Sequence, residues 1–453
     1  MFPVVSPHRS WGMMRWGALV VAACFTVLGS AAAQTTVSPM TDLTLGMSTQ
    51  GRSINVLRVG DGPRKLVLVG AVHGGPERNT FVLVTELAAH FRANPGAVPP
   101  DVSLYIMPTL NPDGLELDIR QNANGIDLNR NMDTSADSCP ENDWSQQVAG
   151  AYGIISNTGG AYSESEVESR LIRDFLLDAH GVIFFHTSGG VVFPACDHAP
   201  SNMLARVFGE GAGYAFIPKW DLYAITGGMH DWAGGLGIAA ITPELITADQ
   251  PETEQNLAGV MAIMNRADEV LPEPQPHTEG MWNVQPVIWR AWKAWGGARL
   301  FGLPLGPAVQ IGTSWTQVFE RAVLTYRPDQ SDTAAVVQLD ALGRDLLGAR
   351  VVATEPPSDD ARFFPETQHT LRGLFADFWQ INGGLPLFGL PLTGEEFTTD
   401  ARGQPAIRQV FERVVLERPR EATGPAEITL APLGRLRWAQ RDARSPRSGV
   451  RPR

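Results

Sequence analysis

Between residues 42 and 272, short runs rich in aliphatic and β-branched residues alternate with longer stretches whose apolar positions recur every three or four residues. The runs, at 54–59, 65–72, 102–108, 181–185 and 238–242, predict strands. The periodic stretches predict helices at 79–91, opening after Pro76-Glu77, at 163–179 with an acidic first turn, at 203–209 and at 252–270. Alternation of this kind predicts an α/β domain over 42–272, built on a mixed, largely parallel sheet with helices on both faces. The proline-punctuated stretch Pro272-Glu-Pro-Gln-Pro276 then opens a semi-rigid linker, 273–286.

Beyond the linker the pattern repeats itself. Trp295-Gly-Gly and Phe301-Gly-Leu-Pro-Leu305 recur 87 residues later as Asn382-Gly-Gly and Phe388-Gly-Leu-Pro-Leu392. Gln317-Val-Phe-Glu-Arg-Ala-Val-Leu324 recurs as Gln409-Val-Phe-Glu-Arg-Val-Val-Leu416, and Leu342-Gly-Arg344 as Leu433-Gly-Arg435. Units of this length are small domains rather than solenoid turns. They predict two modules, 287–348 and 362–437, followed by an Arg-rich tail, 438–453, read as a frayed, solvated terminus. The modules resemble ones appended to exported bacterial proteins. Their Trp289, Trp292, Trp295 and Trp379 either stack on the sugars of a cell-wall polymer or form the modules' own small core.

Composition narrows the class. A chain of 453 residues holds two or three domains, and 43% hydrophobic residues with only 46 Gly and 34 Pro exclude a disordered polymer. A net charge of −12 argues against a nucleic-acid partner. Arg9 and Arg15, an apolar run at 16–29 and the small-residue site Ala31-Ala32-Ala33 read as a secretory signal over 1–33. That run is shorter than the roughly 20 apolar residues a membrane span needs, so the expectation is an exported protein with no transmembrane span once the signal is removed. Val21-Ala22-Ala23-Cys24 offers a lipoprotein anchor as the alternative. Cys139 and Cys196 then remain, an even pair in an oxidising compartment, with one disulfide expected.

Four predicted strands run into polar residues able to do chemistry: one into His73, one toward Asn111-Pro-Asp-Gly114, one into His186 and one toward Glu244. Ligands of open α/β sheets bind beyond the carboxyl ends of the strands, so these stretches converge on one crevice. Singly, each reads as a hydrogen-bonded structural residue; jointly, they read as a site. Two histidines and one carboxylate with a position left for water suit a catalytic zinc ion, and His73, Glu77 and His186 supply that set. Glu244 is a candidate proton shuttle. Arg120 is a candidate for stabilising an oxyanion, and Asn129 with Arg130 for gripping a carboxylate.

The sequence resembles the zinc metallocarboxypeptidases of the carboxypeptidase A type. The resemblance rests on His73-Gly-Gly-Pro-Glu77, Asn111-Pro-Asp-Gly114, Arg120 followed by Asn124-Gly-Ile-Asp-Leu-Asn-Arg-Asn131, His186-Thr-Ser, Tyr223-Ala-Ile-Thr-Gly-Gly-Met-His-Asp-Trp232 and Pro243-Glu-Leu245, in family order over about half of the chain. It implies one zinc ion held by His73, Glu77 and His186, with Glu244 as general base and acid. It also implies Arg120 at the scissile carbonyl, Asn129 and Arg130 on the substrate's terminal carboxylate, and Tyr223 closing over the peptide. By the same resemblance the floor of the specificity pocket lies near Met229 and His230. A histidine there either selects polar side chains or is a hydrogen-bonded wall residue. Two departures stand out. The family spaces the first histidine and glutamate three apart, here four, and no arginine lies between them, where many members place one. His90, His180, His198, His277 and His369 lack partner spacing and are expected on the surface or in loops.

The resulting expectation is an exported zinc peptidase acting on peptide C-termini. The alternatives are a peptidase or amidase of the same fold acting on cell-wall peptides, and an inactive surface-binding protein.

Overall fold

The computed structural model describes residues 39–150, 154–400 and 402–444. The expected signal, Cys24 and the last nine residues lie outside them. Strands β1 (Met40–Met47), β2 (Ser53–Val59), β3 (Arg64–Val69) and β4 (Val102–Met107) come first, then a short antiparallel pair, β5 (Val148–Ala149) and β6 (Ile155–Ser156). They are followed by β7 (Gly181–Phe184), β8 (His186–Thr187), β9 (Val191–Pro194), β10 (Ala215–Phe216) and β11 (Ala239–Leu245). All but β5 and β6 form one nine-stranded sheet in the order β1-β2-β4-β3-β7-β11-β9-β10, with β8 paired to the end of β11. The central pairs β4-β3, β3-β7 and β7-β11 are parallel, and β1, β2 and β9 bring in antiparallel pairings. The expected mixed, largely parallel sheet is the one observed. Each apolar run became a strand, because a strand covered on both faces reads as continuous hydrophobicity. β1 was not expected: its pattern leaves most side chains exposed or half-buried.

The helices of this domain are α1 (Arg78–Ala93), α2 (Pro112–Leu117), α3 (Val167–Phe175), α4 (Ala199–Ala212), α5 (Met229–Gly235), α6 (Thr253–Met264) and α7 (Ala267–Val270). Leu83, Leu87 and Phe91 of α1, Leu204 and Phe208 of α4 and Ile263 of α6 bury one sheet face with Leu66, Leu68 and Ile183. Ile172 and Phe175 of α3 and Met229 and Trp232 of α5 cover the other, with Val67, Val69 and Phe184. The helix predicted over 163–179 begins only at Val167, because Glu164 takes a left-handed φ of 60°. The one predicted over 252–270 is interrupted at Asn265-Arg266.

The C-terminal half has one plan used twice. A hairpin of β12 (His277–Glu279) and β13 (Trp282–Val284) leads to α8 (Pro286–Ala294) and α9 (Gly297–Phe301). The four-stranded antiparallel sheet β14 (Val309–Ile311), β15 (Ser314–Val318), β16 (Val323–Tyr326), β17 (Val337–Leu339) follows, then α10 (Leu342–Leu347). The second pass is the hairpin β18 (Arg362–Phe364) and β19 (His369–Leu371), α11 (Gly373–Ile381), α12 (Gly384–Phe388), the sheet β20 (Glu396–Thr399), β21 (Pro405–Val410), β22 (Val415–Pro419), β23 (Thr429–Leu430), and α13 (Leu433–Arg444). Trp289, Trp292, Trp295 and Trp379 are all buried, which makes them core and leaves none of these four rings free as a sugar platform.

The closing helices are exchanged. Arg344 at the start of α10 donates its backbone N–H to Glu412 O of the second sheet's turn at 3.0 Å, and Arg435 of α13 does the same to Glu320 O of the first at 3.0 Å. A Cβ on Gly343 would lie 1.9 Å from Phe411 O, and one on Gly434 1.8 Å from Phe319 O, so the repeated Leu-Gly-Arg motif needs glycine for this approach. Ion pairs Arg344–Glu412 and Arg435–Glu320 close both contacts. Val318, Val323, Leu342, Val410, Val415 and Leu433 form one shared core between them. Residues 438–444, read as part of a frayed tail, instead continue α13.

The first repeat does not hang on a tether. Lys65 Nζ reaches Asp178 at 2.8 Å and Ser331 O at 2.9 Å, and Arg58 pairs with Asp332 at 2.8 Å. Core residues of α3 and α5 are continuous with Ile288, Trp289 and Trp292 of α8.

Candidate active site

β3 ends at Val69, and the chain turns through Gly70 and Ala71 into His73. Gly74 and Gly75 follow because there is no room for a side chain: a Cβ on Gly74 would lie 2.1 Å from Gly114 C and one on Gly75 2.5 Å from Asp118. Asn111 holds this neighbour in place by capping α2, its side chain accepting from Gly114 N at 2.8 Å. Pro76 then starts a short 3-10 turn that ends on Glu77 and delivers its carboxylate back to His73. Four-residue spacing therefore closes the loop without stretching it. Glu77 Oε1 lies 2.7 Å from His73 Nδ1 and Oε2 lies 3.0 Å from His186 Nδ1. The two Nδ1 atoms are 3.1 Å apart, and both rings are almost wholly enclosed.

His186 opens β8, whose register sets it directly beside Glu244 of β11. Burial and the nearby negative charge of Glu77 push the Glu244 carboxyl well above its usual range, with Arg120 and Arg130 only partly offsetting them. Burial also takes His186 down to about 4, a neutral imidazole. Arg120 bridges two carboxylates, donating from Nη1 to Glu77 at 2.7 Å and from Nε to Asp127 at 3.0 Å. Asn129 and Arg130 sit in a 3-10 turn capped by Asp127, whose Oδ1 accepts from Asn129 N at 3.0 Å. Asn129 Oδ1 accepts from Met229 N at 2.9 Å, Arg130 Nη1 donates to Asn129 O at 2.8 Å, and Arg130 Nε is buried without a partner among the described residues. The Tyr223 ring centre lies 5.9 Å from the Arg130 guanidinium carbon.

A cavity of about 510 Å³ joins these groups: His73, Glu77, His186, Arg120, Asn129, Arg130, Tyr223 and Glu244 all line it. His230 does not. It stands behind Phe193, Trp220 and Ile225, which it shares with a smaller adjoining pocket. Its ring is edge-on to Phe193, Nε2 faces Asp231 at 3.4 Å, and Nδ1 is buried without a partner among the described residues. Cys139 and Cys196 are joined as a disulfide, and Cys196 lies on the wall of that smaller pocket. Of the remaining histidines, His180 and His369 are buried rather than superficial.

Asp127 escaped the sequence reading. Its Oδ1 accepts from His73 Nε2 at 2.9 Å, which leaves the lone pair on Nδ1 facing Glu77 and His186. The signal for it was the acid preceding Leu-Asn-Arg, where an aspartate caps a turn, but nothing in the spacing pairs it with His73. The donor set fits a metal ion: one ligand atom from each of His73, Glu77 and His186 can be chosen with all within 4.8 Å of one another, and the first is oriented by a carboxylate.

Strand ends of a mixed α/β sheet thus bring two imidazoles and two carboxylates to one cavity, a donor set that could hold a metal ion. Residues 31–259 match the family model described as zinc carboxypeptidase, more than half of the chain, and the chain belongs to that family. Carboxypeptidase SOL1 of Arabidopsis thaliana is 31% identical over 99 residues, covering 19% of this chain and 20% of that protein, so the match spans about a fifth of the relative's length. Among solved structures, bovine thrombin-activatable fibrinolysis inhibitor in complex with tick carboxypeptidase inhibitor aligns at 22% identity and TM-score 0.42 over 51% of this chain and 90% of that one. Murein-tripeptide amidase MpaA of Escherichia coli O157 aligns at 21% identity and TM-score 0.39 over 51% and 98%.

Proposed function

We propose that this chain is an exported zinc-dependent carboxypeptidase that hydrolyses the C-terminal peptide bond of its substrate. The observation that carries the reading is the single cavity that holds the three metal-donor residues, Glu244 and the Asn129–Arg130 pair. His73, Glu77 and His186 would hold the zinc ion, which when bound would supply Lewis acidity near neutral pH. Glu244 takes the proton of the attacking water and returns it to the departing amine; its elevated affinity for the proton suits that shuttle. Arg120, held by Glu77 and Asp127, presents positive charge where the carbonyl oxygen becomes an oxyanion. Arg130 and Asn129 both line the cavity, and their guanidinium and amide groups bind the terminal carboxylate. Tyr223 covers that end of the cleft. His230 acts from behind the wall of the specificity pocket rather than by direct exposure to the main cavity.

Export rests on the composition of residues 1–33, and no helix among the described residues is long and apolar enough to cross a membrane. Binding to a wall polymer finds no platform in the four buried tryptophans. The test is hydrolysis of an N-blocked dipeptide with a free carboxylate, alongside metal analysis. About one zinc per chain, loss of zinc in His186→Ala and loss of turnover in chelator are expected. A zinc-free protein, or turnover indifferent to chelator, would sink the reading.

A further inference from the structure

We propose that α8 of the C-terminal half is a working part of the substrate-carboxylate site, with Arg290 and Trp295 as positioning residues for Asn129 and Arg130; the inference rests on the reading of that pair as the carboxylate ligands. Two separate chains of contact run from α8 and its C-cap to the same short segment.

The first passes through α5. Arg290 is 2% exposed, although it belongs to a different module from the residues around it. Its Nε donates to Leu236 O at 3.0 Å and its Nη2 to Gly237 O at 2.9 Å, both at the C-terminal end of α5. Its Nη1 donates to Leu177 O at 3.1 Å and Ala179 O at 2.7 Å, just past α3. Among the described residues no carboxylate hydrogen-bonds this guanidinium. It sits instead on carbonyls at two helix ends, where a cation is favoured. The opposite end of α5, about 10 Å away for seven residues, is where Met229 N donates to Asn129 Oδ1. That end is pressed onto the substrate segment: a Cβ on Gly227 would lie 2.6 Å from Arg130 O, and Met132 N donates to Gly227 O at 3.1 Å. The C-terminal part of the helix is also packed closely, since a Cβ on Gly235 would lie 2.8 Å from Asp137 N. A strut fixed at one end by Arg290 thus sets the position of Asn129 at the other.

The second chain passes through buried charges. Trp295 Nε1 donates to Asp174 Oδ1 at 2.8 Å, Asp174 takes the fork of Arg173 at 2.7 and 3.0 Å, and Arg173 Nη1 reaches Glu164 at 2.5 Å. Glu164 N then donates to Asn131 O, the residue after Arg130. The side chain of Asn131 is itself spent on Gly159 O, Tyr162 O and Ser165 Oγ. Both routes end within residues 129–131.

A purely structural role would lower the melting temperature and leave the affinity of the folded fraction alone. The experiment therefore measures the dissociation constant of an uncleaved N-blocked dipeptide, as free carboxylate and as amide, in zinc-loaded Glu244→Gln protein well below its melting temperature. The same titration is run with Arg290→Lys or Trp295→Phe added; the first nearly keeps the side-chain volume, the second keeps one aromatic ring, and both remove donors. Expected is a loss of roughly tenfold or more in affinity for the free carboxylate, a smaller change for the amide and unchanged zinc content, because none of His73, Glu77 and His186 lies on α5. Arg290→Met should extend the loss if it folds. Unchanged carboxylate affinity in both conservative variants overturns the inference. A Glu244→Gln parent that binds carboxylate and amide equally overturns the underlying reading, and this inference with it.

Discussion

Asp127 Oδ1 lies 2.9 Å from His73 Nε2, on the opposite side of the imidazole from the Nδ1 that meets Glu77. That contact selects the tautomer that leaves Nδ1 free to donate to a metal, and Arg120 steadies the same carboxylate from behind. Asp127→Asn can keep the one oxygen that both caps the turn and meets His73, but it loses the carboxylate charge and the second oxygen that accepts from Arg120 Nε. Zinc affinity, measured by competition with a chelator, should fall by about 10–100-fold. Wild-type affinity would show that the contact is only structural.

Glu244→Gln removes the proton shuttle and spares the metal donors. A fall in kcat of about 10²–10⁴-fold with zinc content unchanged is expected from steady-state kinetics and metal analysis on the same sample. Full turnover would remove Glu244 from its assigned role.

The exchanged helices predict that the two repeats unfold together. Gly343→Ala and Gly434→Ala each drive a methyl into a backbone carbonyl of the other repeat, which should cost about 1–3 kcal/mol at either site. Scanning calorimetry should show both substitutions lowering one and the same transition. Two transitions shifted independently would mean that the repeats are separate folding units.

His198 supplies a pH signature of stability away from the metal. Its Nδ1 lies 2.7 Å from Ser201 Oγ, and that hydroxyl oxygen accepts from Ala240 N at 2.8 Å, so the serine proton points at the imidazole and needs it neutral. Burial depresses this histidine from 6.5 to about 4. The unfolded chain binds a proton first as pH falls below 6.5, so the folded state loses stability from there down to about pH 4 and is unaffected above. The full loss is about 3 kcal/mol. Denaturant melts of His198→Gln across this range should lack that part of the slope.

Much of the catalytic half was legible because its chemistry sits where strands stop. Apolar runs covered on both faces give strong strand signals; His73 and His186 follow two of them directly, and Glu244 comes two residues after a third, within β11. The two glycines of His73-Gly-Gly-Pro-Glu77 suit a tight turn, and only the fold shows the neighbours, Gly114 and Asp118, that leave no room for a side chain there. What could not be read were relations between distant segments. Asp127 looks like any turn cap until the fold sets it against His73. Arg290 lies in an amphipathic helix where an arginine normally signals solvent, and only the docking of α8 onto α3 and α5 buries it. The repeated Leu-Gly-Arg motif was visible, but which sheet each copy covers depends on the path of the chain between α10 and β18. His230 was read from its position after Gly227-Gly228, and its seat behind Ile225 and Trp220 is a matter of side-chain packing.

The most direct test of the central claim is a digest of a mixed peptide library, free-ended and C-terminally amidated, read by mass spectrometry with and without chelator. Loss of single residues from the free carboxyl ends, spared in the amidated peptides and abolished by chelator, is the predicted result. Internal cleavage, equal attack on amidated ends, or cleavage that persists in chelator would contradict it.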